Sequence, residues 1–260
     1  MRYLILLLTA LSAVVWADDT ADSAQSRLTY INNNTIYIDQ VGNSNTNVIQ
    51  QNSSQASIAG VGANSLPIQG DGNTVTLKQG DPGGSGQHLI EGEIYGSYNT
   101  VTVYQGIGLD GQTSGLDAGG HYIMFTVTGT GNQISSEQTN TGSANMSYVA
   151  TTVNGNYNTQ TFSQTGNGAK QITANTQGNQ NSLTATQTGS QQNLAVNFLG
   201  NNNSANVLQT GSANNANISI VNAGGPGSVN LIQTGGQNYS VSTVCVQAGG
   251  CGPITVRQGN

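Results

Sequence analysis

The chain has 260 residues, of which 36 are glycine and only 6% are charged, against roughly 25% charged in an ordinary globular domain. The formal net charge is −6 and the few basic residues form no patch or stripe, which argues against nucleic acid or an anionic membrane as a partner. Asn, Gln, Ser and Thr dominate the remainder, a composition that also suits disordered or prion-like tracts. The strict alternation of side-chain types described below argues against simple disorder.

The chain opens with Arg2 before an apolar run over residues 4–16 that closes at Val15, Trp16 and Ala17. This reads as an export signal over 1–17, cleaved before Asp18. The run is too short to span a bilayer, which takes about 20 residues, so the mature chain is expected to be exported and not inserted in a membrane. Loss of Arg2 leaves four basic against eleven acidic residues, a net charge of −7. Residues 18–33 lie outside the repeat pattern and read as a flexible leader.

From residue 34 to 260 one frame recurs. Asn181, Leu183, Ala185 and Gln187 alternate with Ser182, Thr184 and Thr186. Residues two apart share one face of a strand. A turn at Thr188 and Gly189 follows, then a second alternating run of Gln192, Leu194, Val196 and Phe198, then Gly200 and a restart at Asn203. With Gln as anchor, the same inward face reads Asn34/Ile36/Ile38/Gln40, Asn73/Val75/Leu77/Gln79, Asn99/Val101/Val103/Gln105, Asn132/Ile134/Ser136/Gln138 and Asn158/Gln160/Phe162/Gln164. Later copies are Asn203/Ala205/Val207/Gln209, Gly227/Val229/Leu231/Gln233 and Gly252/Ile254/Val256/Gln258, and Ser54/Ala56/Ile58/Gly60 is a degenerate one. Starts at 132, 158, 181, 203, 227 and 252 are 22 to 26 residues apart. A period of this size holding two strands predicts an all-β solenoid of stacked strand-turn-strand units, in which stacking buries a face that one unit cannot bury alone.

Gly/Asp-rich insertions near 80–86 and 107–120 would protrude from the stack; Asp110 and Asp117 lack the nonapeptide spacing of calcium-binding repeats. Stacked copies of one side chain lie about 4.7–4.9 Å apart, so a buried amide can donate to one neighbour and accept from the other. The expected main ladder is Gln40, Gln79, Gln105, Gln138, Gln164, Gln187, Gln209, Gln233 and Gln258. A second would hold Asn34, Asn73, Asn99, Asn132, Asn158, Asn181 and Asn203. Gly42, Gly166, Gly189, Gly211 and Gly235, each two after a ladder Gln, suit turns that need positive φ. Cys245 and Cys251 flank a five-residue stretch before the final strand, and in an exported protein a disulfide is the default expectation.

Catalysis finds little support. The two histidines, His88 and His121, accompany no nucleophile elbow, phosphate loop or metal-ligand pattern, and Glu91 and Glu93 recur nowhere else at matching positions. No cofactor or metal is expected, and the chain does not read as an enzyme.

The pattern seen in Gln40-Val41-Gly42-Asn43-Ser44-Asn45, Gln209-Thr210-Gly211-Ser212-Ala213-Asn214 and Gln233-Thr234-Gly235-Gly236-Gln237-Asn238 resembles the curlin repeat, over most of the chain from Asn34 onward. That resemblance implies a two-sheet β-solenoid that polymerises end to end into secreted curli fibres, the functional amyloid of bacterial biofilms. It also implies export through an outer-membrane pore, a nucleating partner at the cell surface, and a role in assembly for the ladder Gln and Asn residues. Three features depart from the family pattern: Ile220 and Val244 stand where a second Gln is usual, the repeats are about twice as many, and cysteines are present. A different reading is a monomeric ice-binding or adhesion solenoid that uses the outward pairs Thr74/Thr76, Thr100/Thr102, Thr159/Thr161 and Ser182/Thr184, rows that break at Gln133/Ser135, Asn206 and Asn230.

Overall fold

A computed structural model describes residues 35–53, 57–60, 66–81, 87–106, 120–140, 146–222, 225–245 and 249–259. The signal and leader, and most of both insertions, lie outside the described residues. The chain enters through β1 (Thr35–Ile36) and β2 (Ile38–Val41), turns into β3 (Thr46–Ser53) and returns through β4 (Ser57–Ala59) and β5 (Leu66–Gln69). It then alternates between two sheets through β6 (Thr74–Asp81), β7 (His88–Tyr95), β8 (Thr100–Gln105), β9 (His121–Thr128), β10 (Gln133–Gln138) and β11 (Ser147–Asn154). β12 (Thr159–Thr165), β13 (Lys170–Thr173), β14 (Ser182–Ser190), β15 (Gln192–Ala195) and β16 (Ser204–Ser212) continue the pattern. β17 (Asn215–Asn222), β18 (Ser228–Thr234), β19 (Asn238–Cys245) and β20 (Ile254–Gln258) complete it.

The result is a β-solenoid with two parallel sheets. One sheet has nine strands in the order β3-β6-β8-β10-β12-β14-β16-β18-β20; the other runs β1-β4-β7-β9-β11-β13-β15-β17-β19, with β2 and β5 as continuations of β1 and β4. In the nine-stranded sheet the register keeps every ladder glutamine beside its equivalents, as in Gln164↔Gln187 and Gln187↔Gln209. Period-2 alternation then sends Leu183, Ala185 and Gln187 inward while Ser182 and Thr184 stay exposed.

The core lies between the sheets and is filled by bulky side chains set against small ones. Phe162 is buried with Ser136 below and Ala185 above it in register. Phe125 lies over Gly92, where a Cβ would meet the ring at 2.5–2.6 Å. Interiors are close-packed, so a phenylalanine in a stack with a rise of about 4.8 Å needs a small residue next to it.

The start of the repeat frame differs from the expectation. Ile36, Ile38 and Gln40 belong to the second sheet, where Ile38 and Gln40 pair with Leu66 and Ile68, and Ile58 of the degenerate copy likewise falls on β4 of that sheet. The first rung of the nine-stranded sheet is Asn45 to Gln51, with Gln51 in register with Gln79. The cause is that both kinds of strand alternate with the same period of two, so alternation by itself does not assign a strand to a sheet.

Candidate functional site

The Gln ladder begins at Gln51. Each Nε2 donates to the Oε1 of the next turn: Gln51 to Gln79 at 2.8 Å, Gln79 to Gln105 at 3.0 Å, Gln105 to Gln138 at 2.9 Å and Gln138 to Gln164 at 2.9 Å. It continues from Gln164 to Gln187 at 2.9 Å, to Gln209 at 2.8 Å, to Gln233 at 2.9 Å and to Gln258 at 3.0 Å. The second Nε2 hydrogen crosses the core to a carbonyl of the facing sheet, as from Gln164 to Tyr148 O and from Gln209 to Asn193 O. Each amide therefore ties three strands together, at about 0.5–1.5 kcal/mol net per bond and a larger cost for a buried amide left unpaired. The ladder has a direction, with donors pointing toward the C-terminal end.

Gln40 is not part of it. It is exposed in the second sheet and its Oε1 accepts from Asn47 Nδ2. Asn34 lies outside the described residues, and Asn45 is the first rung of the Asn ladder.

From Asn73 to Asn181 each Oδ1 in that ladder accepts twice from the next asparagine. Asn132 Oδ1 takes the backbone N–H of Asn158 at 3.0 Å and its Nδ2 at 3.0 Å; Asn158 Oδ1 takes those of Asn181 at 2.9 and 3.0 Å. The remaining Nδ2 hydrogen donates to the carbonyl of a glycine on the next turn: Asn158 to Gly178 O, Asn132 to Gly155 O and Asn181 to Gly200 O. Those carbonyls belong to a column that the sequence reading missed: Gly42, Gly70, Gly96, Gly129, Gly155, Gly178 and Gly200. All seven have positive φ, and a Cβ on any of the first six would run into the carbonyl oxygen of the next. The signal that could have found them is a glycine three residues before every ladder asparagine. Gly42 thus belongs to this corner, whereas Gly166, Gly189, Gly211 and Gly235 line the opposite one, also at positive φ.

A third column closes that opposite corner. Lys170, Gln192 and Asn214 follow one another in register, and all are buried. Each donates to the carbonyl four residues earlier: Lys170 Nζ to Gly166 O at 3.1 Å, Gln192 Nε2 to Thr188 O at 2.7 Å and Asn214 Nδ2 to Thr210 O at 2.8 Å. Lys170 Nζ also reaches Gly168 O at 2.8 Å. A buried ammonium is costly unless hydrogen-bonded, and these carbonyls supply that.

The ionisable residues singled out in the sequence sit lower in the stack. His88 and His121 are buried and stacked, with ring centroids 5.1 Å apart. Tyr122 Oη donates to Glu91 Oε2 at 2.7 Å. Ser147 and Lys170 extend the histidine column, but all four side chains are almost fully buried, so this Ser/His/Lys grouping offers no surface to a substrate. Among the described residues no three His, Cys, Asp or Glu side chains converge on one point. Cys251 is disulfide-bonded, and the side chain of Cys245, its partner as expected from the sequence, lies outside what the structure describes. The outward threonines form rows on the nine-stranded sheet, with Thr74↔Thr100, Thr76↔Thr102 and Thr161↔Thr184 in register. No helix among the described residues is long and apolar enough to cross a membrane. No family model, curated protein or solved structure matches this chain.

Proposed function

We propose that this chain is a secreted structural subunit that adds head to tail to copies of itself, building curli-like extracellular amyloid fibres for biofilm matrix, adhesion and cell aggregation. The observation that carries this reading is the Gln ladder, which repeats across nine strands with one direction. At the C-terminal end, Gln258 accepts from Gln233 and donates from Nε2 to Asn238 O at 3.3 Å, beside the partly buried Ile254, Val256, Tyr239 and Val241. At the other end Ile38 and Ile49 are likewise only partly buried. A copy docked with β3 on β20 and β1 and β2 on β19 would place Gln51 over Gln258 and Ile49 over Val256. Backbone hydrogen bonds, apolar columns and the Gln ladder would all continue through such a junction, and a repeated heterologous contact gives open filaments. The low charge removes most of the repulsion that would oppose it. By resemblance to curlins, an outer-membrane pore exports the chain and a nucleating partner starts growth.

The test is to dilute residues 18–260 from denaturant and follow thioflavin fluorescence, seeding and fibre diffraction. Seedable growth with reflections near 4.7 and 10 Å is expected. Replacing Val256 and Gln258 with Lys should slow seeded growth by about tenfold or more, the effect of a ~1.4 kcal/mol penalty. A soluble monomer that stays monomeric would overturn the reading and turn attention to the threonine rows as an ice-binding or adhesive face.

A further inference from the structure

We propose that Tyr98 and Tyr157, on the outer edge of the glycine–asparagine corner, form a docking strip for a proline-rich segment of another protein in the polyproline II conformation. The residues that immediately precede the ladder asparagines make a column along this edge: Gly72, Tyr98, Gly131, Tyr157, Gln180 and Asn202. Tyr98 N donates to Asp71 O, Gly131 N to Ser97 O and Tyr157 N to Thr130 O, which keeps the column in register from rung to rung. All six residues have φ between 55° and 69°, the left-handed region that glycine and asparagine enter readily and tyrosine does not. Packing does not account for the two tyrosines. Tyr98 is 68% exposed and Tyr157 63%, the highest values for large hydrophobic side chains among the described residues. Backbone strain kept at an exposed position points to a partner and not to stability.

Each ring leans across the glycine one rung earlier. A Cβ on Gly72 would stand 2.7 Å from Cδ1 and Cε1 of Tyr98, and one on Gly131 would meet Tyr157 at the same distance. No side chain of the Gly131 rung therefore stands between the two rings, which are two rungs or about 9.6 Å apart. A polyproline II helix advances about 9.3 Å per three-residue turn, so prolines three apart would meet both rings. Proline-rich segments in this conformation dock on aromatic surfaces and lose little entropy in doing so.

The hydrogen-bonding groups beside the rings select the same occupant. Asn156 Oδ1 accepts from Thr130 N and Asn179 Oδ1 accepts from Asn156 N, each at 2.8 Å. Both oxygens are committed to the backbone, and each Nδ2 is left as a donor with no hydrogen bond among the described residues. A proline-rich chain offers carbonyl acceptors and few N–H donors, which suits a row of donors; the hydroxyls of a glycan would need acceptors as well. The chain's own prolines, Pro67, Pro82, Pro226 and Pro253, are scattered singly, so the occupant is a different protein. The strip lies on interior turns, away from β3 and β20, and its occupation goes beyond the head-to-tail reading and does not depend on it.

The test titrates the freshly diluted mature chain, residues 18–260, into a fluorescein-labelled oligoproline about nine residues long, three polyproline II turns, and follows anisotropy. Saturable binding is expected, weakened at least about tenfold by Tyr98→Asn and by Tyr157→Asn. Tyr157→Phe, which keeps the ring, should retain binding. Asparagine already stands in this column at Asn202, so both asparagine variants should unfold in urea at the same midpoint as the parent chain or a higher one. A lower midpoint would make the rings structural and overturn the proposal. Absence of oligoproline binding, or binding unchanged in both asparagine variants, would overturn it as well. Displacement of the peptide by cellohexaose would assign the strip to a glycan instead.

Discussion

The two corners of the solenoid obey different rules. At the glycine–asparagine corner, the column glycine and the ladder asparagine are three residues apart seven times in succession, from Gly42 and Asn45 to Gly200 and Asn203. At the opposite corner the distance from the ladder glutamine to the first inward residue of the second sheet ranges from four residues, Gln233 to Gln237, to sixteen, Gln105 to His121. Both corners join the same two sheets, so the difference lies in where the amide sits. Asparagine is inside its turn and spends its hydrogen bonds on the asparagines and turn backbone of the neighbouring turns, which leaves one geometry. Glutamine sits inside its strand and bonds across the core, so the turn beyond it can lengthen without disturbing the ladder. The insertions at 80–86 and 107–120 both fall on this permissive side.

That contrast can be broken most sharply at Gly155. Its φ is 136° and a Cβ would strike Gly178 O. Gly155→Ala combines backbone strain of about 1–3 kcal/mol with overpacking of similar size, and should lower unfolding free energy by about 3–5 kcal/mol in urea titrations. Gly235 at the other corner has positive φ but no atom within 4 Å of a Cβ position, so Gly235→Ala should cost only about 1 kcal/mol. Equal losses at the two sites would erase the distinction between the corners.

Asn158→Asp keeps the shape but replaces two donated bonds, to Asn132 Oδ1 and Gly178 O, with oxygen facing oxygen. A loss of about 3 kcal/mol at neutral pH is expected. Such a carboxyl would be easier to protonate in the folded chain than in the unfolded one. The folded state then binds more protons, so stability of the variant should be restored below about pH 4, the ordinary aspartate range, and fall as pH rises from there through the raised folded value. A deficit that does not change with pH would mean the donor is not what the ladder needs. The smallest effect is expected from inserting two glycines between Ser212 and Ala213. Loop closure there should cost less than about 1 kcal/mol, whereas the same insertion between Asn201 and Asn202 should cost several times more by pulling a rung out of the Asn ladder.

Much of this was legible in the sequence at particular residues. The offset of six between Asn158 and Gln164, or Asn181 and Gln187, marks the two ends of one inward face, and those side chains do form the two ladders. The alternation of Val75, Leu77 and Gln79 with Thr74 and Thr76 separates inside from outside. The first repeat was not legible. Asn34 to Gln40 has the same alternation and the same terminal amides as a ladder strand, yet Gln40 pairs with Ile68 in the other sheet. Nor was the role of Gly96 or Gly129 legible, since a glycine in a turn looks alike whether it serves φ alone or also lies beneath a neighbouring carbonyl. Lys170 would be read from its charge as a surface residue; only its register with Gln192 and Asn214 explains its burial.

The sequence by itself determined the strand rhythm, the solenoid class and the spacing of the amides, because those follow from period-2 alternation and the reach of a side chain along one strand. The tertiary structure decided which strand joins which sheet, which turn glycines tolerate no side chain, and where a charge can be buried. Those properties depend on atoms one turn away in the stack, 22 to 33 residues distant along the chain. The distance along the chain varies from turn to turn while the rise between rungs stays near 4.8 Å.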